Sequence, residues 1–160
     1  AFNQYIGNWN TSNVKNMKSM FYNAIAFNNG EITNNGLIPL NWTTDNVQTM
    51  EGMFAKAVAF NQYIGNWNTG NVKNMRMMFY KATAFKQDIS GWEAPILEYE
   101  LLMFDTQKIQ EELTANNYEE PSWMDRSRWK SNNIKDRNYG MNPPRMLSRL
   151  REDVEESEIS

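Results

Sequence analysis

The sequence predicts an α/β repeat solenoid, a short strand plus a helix in each 25-residue unit, with an irregular, partly helical C-terminal arm. Three observations carry that prediction. Residues 1–25 (AFNQYIGNWNTSNVKNMKSMFYNAI) are written again at 59–83 with 20 of 25 positions identical. A diverged copy fills 26–58 and keeps Phe27, Trp42, Val47, Met50, Met53, Phe54 and Ala57, with eight extra residues before its tryptophan. A degenerate copy follows at 84–104, where Trp92 and Phe104 stand 12 apart, as Trp67 and Phe79 do. Units at a fixed period of this size bury their apolar sides only against their neighbours. The chain thus divides into an array at 1–104 and an arm at 105–160.

Each unit opens with Phe, Ile and Trp, as in Phe2, Ile6 and Trp9, set among Asn, Gln and Gly. Their spacing fits neither a helix face nor strict alternation. A short extended segment with a bend is expected, its large groups stacked on their counterparts one unit away. The second half carries Val14, Met17, Met20, Phe21 and Ala24, repeated as Val47 to Ala57 and Val72 to Ala82. Steps of three and four predict an apolar stripe on a helix of about three turns. Thr11, Thr44 and Thr69 are the expected N-caps, and Pro95 takes the first helical position in the fourth unit. There Glu100 replaces a stripe Met, as a capping repeat would. The insertion holds Asn29-Gly30 and Asn35-Gly36 around Glu31-Ile32-Thr33, which predicts a projecting hairpin or loop, with Ile38 or Leu40 standing in for the missing Ile.

Residues 105–116 read as a capped helix with Ile109 and Leu113 inward, and 117–142 as an irregular polar stretch with Pro121, Trp123, Trp129 and Tyr139. Pro143-Pro144 opens a last helix bearing Met146, Leu147, Leu150 and Val154 on one side. Its charges run against the helix dipole, so the arm is expected to dock onto another protein subunit, with Trp123, Trp129, Met146 and Leu150 as contacts. At the other end Phe2, Ile6 and Trp9 carry no polar replacement, and further repeats or another subunit are expected to cover that face.

Composition excludes more than it assigns. Without Cys there is no disulfide, thiolate ligand or cysteine nucleophile, and without His the commonest general base and metal ligand are missing. Glu111 and Glu112 have no pocket to work in, so no catalytic, cofactor or metal residue is expected and the chain does not read as an enzyme. The net charge of -3 hides a weakly basic array and an acidic arm. Arg126, Arg128, Lys130, Lys135 and Arg137 interleave with aromatics in a way that suits single-stranded nucleic acid, but the acidic neighbours oppose it. No apolar run reaches the roughly 18 residues of a membrane span. Asn10-Thr11-Ser12 and Asn41-Trp42-Thr43 are glycosylation sequons that overlap the repeat motif. Tyr5 and Tyr63, beside Asn8, Asn10, Asn13 and Asn16, are a candidate glycan surface, although stacked Asn side chains chiefly satisfy turn backbone and one another.

The string FNQ-(Tyr/Asp)-I-x-x-W-x-T-x-NV-x-NM-x-x-MF-x-x-A closely resembles the BspA-like surface-repeat family. This relative of leucine-rich repeats occurs in Mycoplasma, other bacteria, some protists and large DNA viruses. The resemblance covers residues 1 to 92, or 104 with the degenerate unit. It implies a leucine-rich-repeat-like, right-handed solenoid used as a non-catalytic surface, adhesion or interaction scaffold, at a cell surface or in a virion, with no family active site to carry over. The insertion, the arm, and Tyr5 and Tyr63 where the family has the Asp kept here as Asp88 depart from the pattern. The expected function is a structural or protein-interaction component, with a carbohydrate-binding surface module as the alternative.

Overall fold

The computed structural model describes residues 1–136; Arg137, Tyr139, Met146, Leu150 and the expected last helix lie outside them. Among the described residues there is one α-helix, α1 (Thr106–Ala115), one 3-10 turn (Ser122–Met124) and no strand. The expected α/β solenoid, leucine-rich-repeat-like with a strand and a helix in every unit, is therefore corrected. The units are irregular coils joined by isolated parallel bridges from Asn16 to Thr49, Thr49 to Asn74 and Asn74 to Tyr99.

The hydrogen bonds explain why the apolar stripe does not become a helix. In unit 1 the N–H groups of Met20, Tyr22 and Ala24 donate three residues back, to Met17, Ser19 and Phe21, closing tight turns. The alternate N–H groups, on Met17, Ser19, Phe21 and Asn23, leave the unit and donate to the carbonyls of Thr49, Glu51, Met53 and Ala55. A helix would direct all of them four residues back within one segment. The residues at the corner of each unit, Ser19, Gly52, Met77 and Leu102, all sit at positive φ, and so do Asn23, Lys56 and Lys81 four residues on. Left-handed residues at that interval break a right-handed helix, while a spacing of three is common to helices and consecutive turns. The threonines are corrected with the helices. The hydroxyls of Thr11, Thr44 and Thr69 donate to the carbonyls of Thr43, Asn68 and Glu93 one unit further on, tying coil to coil.

Three columns of rings run through the stack. Trp9, Trp42, Trp67 and Trp92 follow one another at 6.1, 6.2 and 6.5 Å between centroids. Phe2, Phe27, Phe60 and Phe85 stack at 5.7 to 5.9 Å, and Phe21, Phe54, Phe79 and Phe104 at 5.3 to 5.8 Å. Each stacked pair contributes about 0.5–1.5 kcal/mol beyond the burial of its area. The indole N–H of Trp42, Trp67 and Trp92 donates back to the carbonyl of Ile6, Leu40 and Ile64, which satisfies the one polar atom each ring buries. Leu40, not Ile38, thus fills the missing Ile position.

The insertion is a loop, not a hairpin. It is drawn together by the buried Glu31 carboxylate, which accepts from Gly36 N–H, Leu37 N–H, Asn28 Nδ2 and Gln62 Nε2 at 2.8 to 3.1 Å. Burial alone would raise this carboxyl, but the bonds from Leu37, Gln62, Gly36 and Asn28 hold it below its ordinary value.

Candidate functional site

The two ends of the stack are where its geometry departs from repetition. At the C-terminal end α1 packs Ile109 and Leu113 into the same core as the units, with Trp123 and Met124 behind it. Trp123 stands edge-on to Phe85 and Phe104, at 6.0 and 5.7 Å. Trp129 then lies flat on Trp92 at 6.4 Å, a fifth ring in the tryptophan column. Ile134 follows Trp129 at the same interval of five that separates Trp92 from Leu97, and packs against the core. Lys135 N–H donates to Glu98 O at 2.8 Å, continuing the series of Gln48 to Lys15, Lys73 to Gln48 and Glu98 to Lys73. Ser131 Oγ donates to Leu97 O. Residues 129–136 therefore match positions 9–16 of the first unit and are the middle part of a fifth. Sequence reading missed it because α1 and the 3-10 turn intervene. The available signal was the Trp-x4-aliphatic spacing shared by Trp9, Trp42, Trp67, Trp92 and Trp129.

Polar groups close this end. Glu100, in the register of Met50 and Met75, is buried and meets the equally buried Arg126 guanidinium at 3.1 Å. The Asp136 carboxylate accepts from Glu100 N–H and Leu101 N–H at 2.9 and 3.1 Å and pairs with Arg76 at 2.7 Å. It occupies the place that a backbone carbonyl of a following unit would take.

The N-terminal face has no such closure. Phe2 and Trp9 keep 49% and 51% of their surface exposed, against 0% and 3% for Phe60 and Trp67 at the same positions of unit 3. Ile6, expected on this open face, is covered. An open cleft of about 540 Å³ lies between Trp9, Val14, Met17, Lys18 and Met20.

The candidate contact residues fall into different places. Tyr5 and Tyr63 are not gathered into one site: unit 2 separates them, with Pro39 at the matching position. Each ring lies over a glycine of its own turn, since a Cβ on Gly7 would come within 2.7 Å of Tyr5 and one on Gly65 within 2.5 Å of Tyr63. Trp123 and Trp129 are packed into the chain's own C-terminal end, and Met146 and Leu150 are beyond the described residues. The asparagines mostly serve backbone: Asn46 and Asn71 donate to Ser12 O and Asp45 O, while Asn16 and Asn74 accept from Lys18 N–H and Arg76 N–H.

A family model for a Mycoplasma protein of unknown function, DUF285, matches residues 1–118 and again 33–141. The chain belongs to this family. It is the family associated with BspA-like repeats, and the second match runs past Trp129 and Ile134. No curated protein and no solved structure matches the chain. Among the described residues no helix is long and apolar enough to cross a membrane.

Proposed function

We propose that this DUF285 chain is a non-catalytic interaction scaffold of the BspA-like surface-repeat kind, a structural component of a cell surface or of a large protein assembly. The observation that supports this reading is the stack of repeated units held by ring columns and unit-to-unit hydrogen bonds, with exposed aromatic and methionine side chains around Trp9. Trp9 and Met20, 51% and 40% exposed, line one cleft with Val14 and Met17, apolar surface of the kind that marks protein contacts. The shape suits binding by surface complementarity, with aromatic anchors at its centre.

The test is site-specific photo-crosslinking within the native assembly. A photoreactive side chain at Met20 is expected to yield a protein adduct, and one at Lys130, exposed near the closed end, none. Glycan-array binding lost on Tyr5→Ala and Tyr63→Ala substitution, with no protein adduct at Met20, contradicts this reading in favour of the carbohydrate module.

A further inference from the structure

The flank of the stack carries a feature that neither the rings nor the ends explain. Lys15, Gln48 and Lys73 hold one register in units 1 to 3, locked by bonds from Gln48 N–H to Lys15 O and from Lys73 N–H to Gln48 O at 2.8 Å. With Asn46, Asn71 and Ile96 they line a groove of about 370 Å³. Residues of one register follow one another along the stack, so the groove runs down its side. Four successive units supply the lining, which does not depend on what adjoins either end. Its charges are unusual for this surface. Of the six lysines of the array, Lys18 and Lys86 pair with Glu51 and Glu112, while Lys56 and Lys81 lie over the rings of Tyr22 and Tyr80. Lys15 and Lys73 are exposed and, among the described residues, meet neither a carboxylate nor a ring. The next side chain in their column, Glu98, is taken by Lys135 at 3.1 Å. The Nδ2 groups of Asn46 and Asn71 donate to Ser12 O and Asp45 O at 2.7 and 2.6 Å, which fixes both amides and leaves each Oδ1 as an acceptor. Gln48 keeps both halves of its amide.

We infer that this flank groove is the docking site for an extended acidic peptide segment of a partner protein, whose carboxylates meet Lys15 and Lys73 and whose backbone pairs with Asn46, Gln48 and Asn71. The inference deepens the scaffold reading above and rests on it. Charge complementarity carries it: two cations without a counter-charge face solvent together in a groove otherwise lined by amides and Ile96. Hydrogen-bonded neighbours in such a ladder stand about 4.8 Å apart, which puts the roots of Lys15 and Lys73 about 10 Å apart. Alternate carboxylates of an extended peptide, about 7 Å apart, reach both through the flexible lysine stems. Peptide N–H groups suit the Asn46 and Asn71 oxygens, and a peptide carbonyl suits Gln48 Nε2. Single-stranded nucleic acid is held by aromatic platforms as well as cations, and no ring lines this groove. Its phosphates also bring no donor for the two asparagine oxygens. An acidic sugar chain would likewise find no ring to stack on.

The probe is a fluorescent oligoglutamate peptide titrated into the intact chain, beside oligoglutamine, an oligouronate and oligothymidylate of matched length. Oligoglutamate is expected to bind saturably and tightest of the four, to weaken as salt rises from about 0.05 to about 0.5 M, and to shift the Gln48 side-chain amide resonance. Lys15→Gln/Lys73→Gln, at two exposed positions, is expected to weaken that binding about threefold or more, the scale of two exposed ion pairs. Lys56→Gln/Lys81→Gln removes the same charge away from the groove and is expected to leave it unchanged. Four results overturn the inference: no saturable binding of oligoglutamate up to about millimolar peptide; an equal loss in the two double variants; an unmoved Gln48 amide; or binding of oligoglutamine, the oligouronate or oligothymidylate as tight as that of oligoglutamate. If any of these accompanies a protein adduct at Met20, the scaffold reading stands and only the occupant of the groove falls.

Discussion

The two ends of the stack are built from the same rings and finished in opposite ways. At the closed end a fifth tryptophan, Trp129, covers Trp92, and below it Arg126, Glu100 and Asp136 occupy backbone and side-chain positions that a following unit would otherwise fill. At the open end Trp9 has a neighbour on one side only, and its carbonyl row is bare. The difference teaches that a few polar groups placed in register can stand in for the backbone of a neighbouring unit. An Asp side chain can take that place because its two oxygens accept two N–H groups.

The sharpest break of this comparison is one substitution made at two heights of the same column. Trp67→Ala, in the middle, is expected to cost about 3–5 kcal/mol, and Trp9→Ala, at the open end, about 1 kcal/mol or less, read as shifts in the urea midpoint. Equal losses would mean that the open face is not open in solution. Next in size is the buried pair. Arg126→Ala takes the guanidinium away from the buried Glu100 carboxylate and is expected to cost about 3 kcal/mol. The double variant Glu100→Met/Arg126→Met restores the repeat methionine and is expected to return to within about 1 kcal/mol of the parent in the same assay.

Asp136→Ala is expected to cost about 1–3 kcal/mol by leaving two N–H groups unpaired, with the loss concentrated in amide protection at Glu100 and Leu101. The smallest effect lies on the side of the stack. Because the Glu31 carboxyl titrates below its ordinary value of 4.5, its contribution is present above that pH and is lost as pH falls through the depressed value. Acid is therefore expected to loosen the insertion loop, as seen in the exchange of Gly36 and Leu37 amides. Glu31→Gln is expected to remove that pH dependence.

Much of this was legible in the sequence for a physical reason: large rings recur visibly, and a ring that stacks on its own kind fixes the period. The local backbone was not legible. Val14, Met17, Met20, Phe21 and Ala24 obey steps of three and four in a helix and in a series of tight turns alike, and only Gly52 and Asn23 hinted at left-handed corners. The closed end was half legible. Glu100 stood out against the methionines, but its partner Arg126 lies across α1 in a stretch with no period. Trp129 and Ile134 retain only two landmarks of the motif, too few to be seen once separated from Trp92 by the helix. The hydrogen-bond polarity of the open face could not be read from residue types at all, since it belongs to the backbone.

The most direct measurement is residue-resolved amide exchange on the intact chain, comparing Lys15, Gln48, Lys73, Glu98 and Lys135, which hold one register in successive units. Gln48, Lys73, Glu98 and Lys135 each donate at 2.8 Å to the unit before, whereas Lys15 has no such acceptor. The expected result is strong protection at those four, Lys135 at the closed end included, and rapid exchange at Lys15. Protection of Lys15 equal to that of Lys73, or rapid exchange at Lys135, would contradict a stack that is closed at one end and open at the other.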